Sequence, residues 1–503
     1  MPDYDIVIIG SGVGGGCAAL TLAPSGARIL ILERGERLPR EPQNWDAEAV
    51  FVEQRYRTHE TWYDAQAQPF RPGQFYYVGG HTKFFGTAMF RFRERDFEAV
   101  EHAEGVSPAW PIRYADLEPW YAQAERLFAV HGQAGDDPTE PPRSGPYPFP
   151  AIPHEPLMDE LAQSFRAIGL RPFHMPSSIG LHPGGRCVRC STCDAFPCRI
   201  DAKGDAEICL IDPALRHANV SLQTGSTVTR LLCDETGKRI VAAEVQRGGE
   251  TQRIHARLFV LSAGAINSAA ILLRSATDKH PQGLGNSSGT VGRYYMNHNC
   301  TALMGIMPTH VNRTRFPKTV TLNDFYFESS ASDKPLGNLQ PLGKIEEPML
   351  RGALPHTPKF LRRHLARHSC DWYVMSEDLP HADSRVQLRP DGAIQLNWRR
   401  SNLRSHGKFV AVAKGVLKDA RFPIVLSKPF GTDTPSHQCG TARFGADPAA
   451  SVLDTYCRSW DHRNLFVIDA SFFPSSAALN PALTVAAQSL RAAQHIKERL
   501  QEF

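Results

Sequence analysis

Asp5-Ile-Val-Ile-Ile-Gly10-Ser-Gly12-Val-Gly-Gly15 carries the reading of the fold. Asp5 to Ile9 is an apolar run of strand length, and Cys17-Ala-Ala-Leu-Thr-Leu behind the glycines has helical spacing. G-x-G-x-x-G between a strand and a helix is the pattern that receives a dinucleotide. Gly10 permits the tight turn, Gly12 lets the backbone approach a pyrophosphate, and Gly15 lets the helix pack on the strand. The helix N-terminus then presents free amides and a positive dipole end to the phosphates. A second apolar run, Arg28-Ile-Leu-Ile-Leu-Glu33, ends in an acid where a carboxylate accepts ribose hydroxyls. Arg34 follows, but Glu33 in front of it would repel a 2′-phosphate. The motif does not distinguish FAD from NAD.

The surrounding chain has 503 residues, 56 basic against 52 acidic, for a formal charge of +4. That balance excludes the strong basic excess of a nucleic-acid binder. With 42% apolar and 21% charged residues the chain is an ordinary globular one, not disordered, collagenous or coiled-coil. The longest uncharged stretch, 470–490, contains Pro474, Asn480, Pro481 and four serines, which argues against a transmembrane helix. Met-Pro-Asp-Tyr-Asp enters the first strand directly, without a basic n-region, and the expected location is cytoplasmic.

Further along, Asp116 is expected to cap a helix that has Pro119 in its first turn. Eight prolines in 138–156 deny helix and central strand there. Segment 219–261 alternates apolar residues around the turn Asp234-Glu-Thr-Gly237 and finishes in the strand Leu258-Phe-Val-Leu261. Ser262-Ala-Gly264 then turns into a helix over 266–273. Residues 301–400 are strand-rich, and a last helix runs from Pro481 to Glu498. The basic run Lys359 to His368 reads as a solvated helix face.

Two segments near the end hold polar residues that a plain core does not need. His437 lies in Ser436-His-Gln-Cys-Gly-Thr441 and Asn480 in Ala478-Leu-Asn-Pro481. Leu465-Phe-Val-Ile468, an apolar strand ending in Asp469-Ala-Ser471, lets both converge near one strand end. A histidine suits proton abstraction near neutral pH. An asparagine donates to a substrate oxygen without titrating.

With these motifs the chain resembles the glucose–methanol–choline oxidoreductase family from end to end. Val78-Gly79-Gly80-His-Thr-Lys-Phe-Phe-Gly86 is similar to the family's Gly-Gly segment over the flavin. Gly264-Ala-Ile-Asn-Ser268 resembles its second signature, with Ala269 and Ala276 departing from the usual pattern. The ending carries the most specific likeness: His437 to Gly445, Ser451-Val-Leu-Asp454, Asn464 to Ser471, and Asn480-Pro-Ala-Leu-Thr484.

The resemblance implies a Rossmann-type FAD-binding α/β domain interleaved with a substrate-binding domain on an antiparallel sheet. The FAD-binding parts would be 1–95, 200–300 and 432–503, the substrate-binding parts 96–199 and 301–431. It implies FAD held by Gly10, Gly12, Gly15, Glu33, Gly79, Gly80, Val228, Asp469, Ala470, Asn480 and Pro481. It also implies oxidation of a hydroxyl, with His437 as the base, hydride passing to flavin N5, and Asn480 orienting the substrate oxygen. Some sugar-oxidising relatives attach FAD through a histidine four residues past the Gly-Gly pair. Phe84 stands there, so non-covalent FAD is expected.

Four of the eleven cysteines fall together in Cys187-Val-Arg-Cys190-Ser-Thr-Cys193-Asp-Ala-Phe-Pro-Cys198. C-x2-C-x2-C-x4-C is close to ferredoxin-type spacing, and three readings stay open: an iron–sulfur cluster, structural zinc, or metal-free thiols. The segment from Cys198 to Glu207 resembles the cysteine-rich part of the gluconate and fructose dehydrogenase branch, some members of which bind a cluster and pass electrons to a cytochrome subunit. That likeness, together with Trp110-Pro-Ile, favours a small uncharged sugar or glycoside as substrate. O2, a quinone or a redox partner subunit remains open as electron acceptor. The alternatives are an alcohol or sterol oxidase, a flavin electron-transfer subunit and a flavin-assisted lyase.

Overall fold

A computed structural model describes residues 2–434 and 437–503. β1 (Tyr4–Ile9) and β2 (Ile29–Leu32) flank helix α1 (Val13–Leu22), and Ile6 to Ile9 and Ile29 to Leu32 are all buried. Continuous burial marks strands covered on both faces, as parallel sheets require. β3 (Val220–Gln223) adds in parallel to β2. β4 (Thr227–Cys233) and β5 (Ile240–Arg247) form an antiparallel hairpin, whose turn is closed by Gly237 N–H donating to Asp234 O.

β6 (Glu250–Leu261) does two jobs along its length. Glu250 to His255 pair antiparallel with β5, and Ala256 to Leu261 run parallel beside β1. The short strand Leu465–Val467 closes the other side of that second half, also in parallel. The parallel order is β3-β2-β1-β6-(Leu465–Val467). Its registers align Ile9 with Leu32 and with Leu261, and Leu261 with Val467. Gly10, Glu33, Ser262 and Ile468 therefore leave the sheet in one row at its carboxyl edge. Ligands of open α/β sheets bind outside that edge.

A second, antiparallel sheet has the order Asn338–Pro341, Ser369–Ser376, Asn299–Ile306, Ile424–Pro429. Side chains alternate across it, as the pleat dictates. Leu303, Leu339, Trp372 and Val374 pack under helices Pro156–Ala167 and Leu403–Ala420, through Phe165, Phe409 and Leu417. Ala302, Met304, Gln340 and Tyr373 face the opposite way, into a cavity.

The expected cap at Asp116 is displaced. The helix begins at Tyr114, and the Asp116 carboxylate accepts the N–H of Arg113 at 2.8 Å from the third helical position. Pro119 accordingly lies inside the helix rather than in its first turn. In the proline-rich segment 138–155 the only regular element is the two-residue strand Phe149–Pro150. Lys359–Arg367 is a helix in which Ala366 is the buried residue. The uncharged stretch 470–490 divides into a short 3-10 turn and the start of helix Ala482–Glu498. Among the described residues no helix is long and apolar enough to cross a membrane.

Candidate active site

A cavity of about 1360 Å³ joins the carboxyl edge of the parallel sheet to the open face of the antiparallel one. Gly10, Gly12, Glu33, Gly79, Gly80, Val228, Asp469, Ala470, Asn480, Pro481 and His437 all line it. Gly15 does not, because it faces inward: a Cβ there would stand 2.0 Å from the Gly10 carbonyl. Gly12 is the opposite case, since a Cβ would meet nothing within 4 Å. The turn is thus packed behind and open in front, a cradle shaped for a pyrophosphate, with the N-terminus of α1 behind it. The tightest approach is at Gly14, where a Cβ would lie 1.7 Å from the Ile468 carbonyl. Gly14 was not among the glycines singled out in the sequence.

Glu33 is positioned by groups from two turns. Its carboxylate accepts the Ser11 hydroxyl at 2.6 Å, the Ser11 N–H at 3.1 Å and the Gly35 N–H at 2.8 Å. Ser11 Oγ also accepts the Gly79 N–H at 3.2 Å, so the two glycine segments and the acid form one unit. Arg34 is occupied elsewhere, by Glu60 at 2.5 Å and by the face of Tyr76. Asp469 spends its carboxylate on the scaffold, accepting from Gly264 N, Ser268 Oγ, Ser471 N and Ser471 Oγ. Helix Ala482–Glu498 starts at the cavity wall and brings its positive end there.

Phe84, at the attachment position of covalent relatives, stacks on Phe75 with ring centroids 4.0 Å apart. His81 lines the cavity, pairs with Gln74 Oε1 at 2.8 Å, and is pushed down to about 4 by burial. Trp110 lies outside the cavity lining; its ring sits among Phe97, Phe444 and Phe473 and donates to Ser475 Oγ. It is core, and lends no direct support to a sugar.

His437 has a partner that no spacing announces. Its Nδ1 lies 2.8 Å from Nδ1 of His298, whose Nε2 lies 3.1 Å from the Ser476 carbonyl. Burial pushes His298 down to about 4, and burial with the neighbouring His298, Lys318 and His81 pushes His437 well below its ordinary value. Both rings are therefore neutral at pH 7. A carbonyl only accepts, so His298 Nε2 carries the proton and its Nδ1 is an acceptor. His437 Nδ1 must then be the donor, and the lone pair of His437 rests on Nε2. Ser436, next to it in sequence, lies outside the described residues.

Asn480 is oriented by a relay of amides. Asn338 Oδ1 accepts from Gln340 Nε2 at 2.8 Å, and the same nitrogen donates to Asn480 Oδ1 at 2.9 Å. With its oxygen engaged, Asn480 keeps its two N–H donors for the cavity. Lys318, also in the wall, is held by Asp194 Oδ2 at 2.8 Å and the Pro341 carbonyl at 3.0 Å.

Asp194 belongs to the cysteine segment, but the cysteines do not line the cavity. Cys187, Cys190, Cys193 and Cys198 are free and partly buried. Among the described residues no three of their sulfurs come within 4.8 Å of one another, which the tetrahedral zinc reading requires. What shapes the loop is Lys203, whose ammonium donates to the carbonyls of Phe85, Cys193 and Phe196.

Dinucleotide cradle, neutral histidine and fixed amide donor around one cavity define an oxidoreductase of the nucleotide-cofactor class. The family model described as GMC oxidoreductase matches residues 7–300, and its C-terminal counterpart residues 380–489. The chain belongs to the GMC oxidoreductase family, which implies FAD. It is 31% identical to the 6'''-hydroxyparomomycin C oxidase of Streptomyces lividus, over 99% of this chain and 92% of the relative. It is 30% identical to the paromamine 6'-oxidase of Streptomyces fradiae, over 98% and 91%. The fructose dehydrogenase large subunit of Gluconobacter japonicus is 24% identical over 99% and 98%. In fold the chain is similar to pyridoxine 4-oxidase from Mesorbium loti, with TM-score 0.68, 17% identity and 99% of each chain covered.

Proposed function

We propose that the chain oxidises a hydroxyl group of a sugar or glycoside to the carbonyl, with His437 as the base. The observation that carries this reading is the relay from the Ser476 carbonyl through His298, which leaves His437 neutral with its lone pair on Nε2. Gly10, Gly12, Glu33, Val228 and the turn at Asp469 and Ala470 would hold FAD, without a covalent link because Phe84 offers no nucleophile. When bound, FAD supplies the acceptor for the hydride of the carbinol carbon. His437 Nε2 takes the hydroxyl proton, and the Asn480 amide donates to the substrate oxygen as charge develops there. The substrate side of the wall mixes Gln340, Lys318 and Ser427 with Met304, Leu342 and Phe430. Such a wall suits a ring with hydroxyl edges and C–H faces. The named activities of the two Streptomyces relatives support the same substrate class.

We also propose the division into FAD-binding parts 1–95, 200–300 and 432–503 and substrate-binding parts 96–199 and 301–431. The two sheets support it, since their strands fall on either side of those limits to within two residues. A cytoplasmic location is consistent with eleven cysteines, none of them paired. For the loop 187–198, ferredoxin-like spacing and N–H groups of Arg189 and Ala202 on Cys187 and Cys198 sulfurs favour an iron–sulfur cluster. The buttressing by Lys203 favours packed thiols. Iron and acid-labile sulfide on anaerobically prepared enzyme separate the two.

The experiment for the main reading is anaerobic mixing of the FAD-loaded enzyme with a panel of sugars and aminoglycosides. Loss of the flavin's visible absorption with at least one of them is expected. Bleaching by none of them overturns the sugar reading, and bleaching by simple alcohols alone reassigns the substrate. Admitting air afterwards distinguishes O2 from a quinone or partner subunit as acceptor.

A further inference from the structure

The geometry points to a metal site outside the cavity, in which Cys233, His280 and His462 bind one zinc-class divalent ion, with solvent in the fourth position. One ligand atom from each residue lies within 4.8 Å of the other two. The Cys233 sulfur and His462 Nε2 are 3.7 Å apart. Zn–S of about 2.3 Å and Zn–N of about 2.0 Å at a tetrahedral angle span an S···N edge of about 3.5 Å, so the observed pair already stands close to ligand separation.

His280 is fixed through one of its nitrogens, and His462 is aimed at the sulfur. His280 Nε2 lies 2.7 Å from the Gly237 carbonyl, which only accepts, so Nε2 holds the proton and Nδ1 the lone pair. A ligating histidine is commonly fixed in this way by its other nitrogen. His462 is fully buried, its Nδ1 has no hydrogen-bond partner, and its Nε2 faces the sulfur.

The three ligands come from separate segments that the fold has already fastened. Cys233 ends β4, His280 closes the turn with Thr277, and His462 precedes the strand Leu465–Val467. Asn464 clamps two of these segments, its side chain bonding both the N–H and the carbonyl of Ile240, on the strand paired with Cys233. Cys233 and His280 are partly exposed, which gives an ion a path from solvent and leaves room for a fourth ligand. None of the three lines the cavity. The ion would tie the β4–β5 hairpin to the strand that carries Asp469 into the site, a structural role. Binding releases the Cys233 thiol proton and forms a metal–thiolate bond, with no change of oxidation state.

The test is a Co2+ titration of FAD-loaded enzyme stripped of metal, followed by its absorption to the red of the flavin. Cys190→Ser with Cys193→Ser serves as the background, so that the loop 187–198 cannot supply thiolates. One equivalent of Co2+ should give tetrahedral thiolate bands that Zn2+ abolishes. Adding Cys233→Ser should weaken binding by at least about 100-fold, and His462→Ala should do the same. Retained FAD shows that each variant is folded. Absence of the bands in the background protein, or their survival in Cys233→Ser, overturns the site.

Discussion

Two pairs of histidines, each with one buried ring, lie at different places in this molecule, and similar ingredients produce different chemistry. His298 and His437 have ring centroids 4.8 Å apart, His280 and His462 5.0 Å apart. Burial lowers His298 and His437 in the first pair and His462 in the second. In the first, nitrogen faces nitrogen and the chain of bonds ends on a carbonyl, which leaves one lone pair for the cavity. In the second, one nitrogen faces a thiol instead of a second ring, and the ion would bind between that nitrogen and the sulfur. What an imidazole does is set by where its hydrogen-bond chain ends.

That contrast can be broken experimentally. His437→Ala removes the base outright, and the rate of flavin reduction by substrate in rapid mixing should fall by about 10² to 10⁴. Undiminished reduction would take His437 out of the chemistry. Asn480→Ala removes the amide donor, and the same rate should fall by about 10² to 10³, with FAD still bound. His298→Ala leaves the base in place but frees its tautomer. About a 10- to 100-fold loss is expected, the range for removing the partner that orients a functional histidine. Substrate affinity should change little, and an acid limb displaced from the wild-type position should appear in the pH profile. A variant with the wild-type rate and profile would reduce His298 to packing. In the second pair, His462→Ala should leave flavin reduction near the wild-type rate while weakening Co2+ binding by at least about 100-fold.

Much of the nucleotide half was legible because its signals are local. Gly10, Gly12 and Glu33 are read from a strand, a turn and a strand end, and β1, β2 and β6 align those ends by register. Ser11 and Gly14 sit at variable positions of the same motif, so only the packed backbone shows that Ser11 binds Glu33 and that Gly14 touches Ile468. His298 was out of reach, because 139 residues separate it from His437 and only the fold brings the rings together. The cysteines teach the reverse. Four thiols bunched in sequence do not converge on a four-coordinate site, while Cys233 meets two histidines from distant segments. Asp116 was misplaced by one capping step, since an acid satisfies the Arg113 N–H from the third helical position as readily as from the cap.

The central claim is that His437 is a neutral base held by His298, and its pH dependence tests this most directly. A base works only when unprotonated, so lowering its pKa extends activity toward acid. The rate of flavin reduction at saturating substrate should stay level as pH falls through about 6.5, the ordinary histidine value, and decline only below it. A tenfold loss per pH unit beginning at or above about 6.5 would contradict the account.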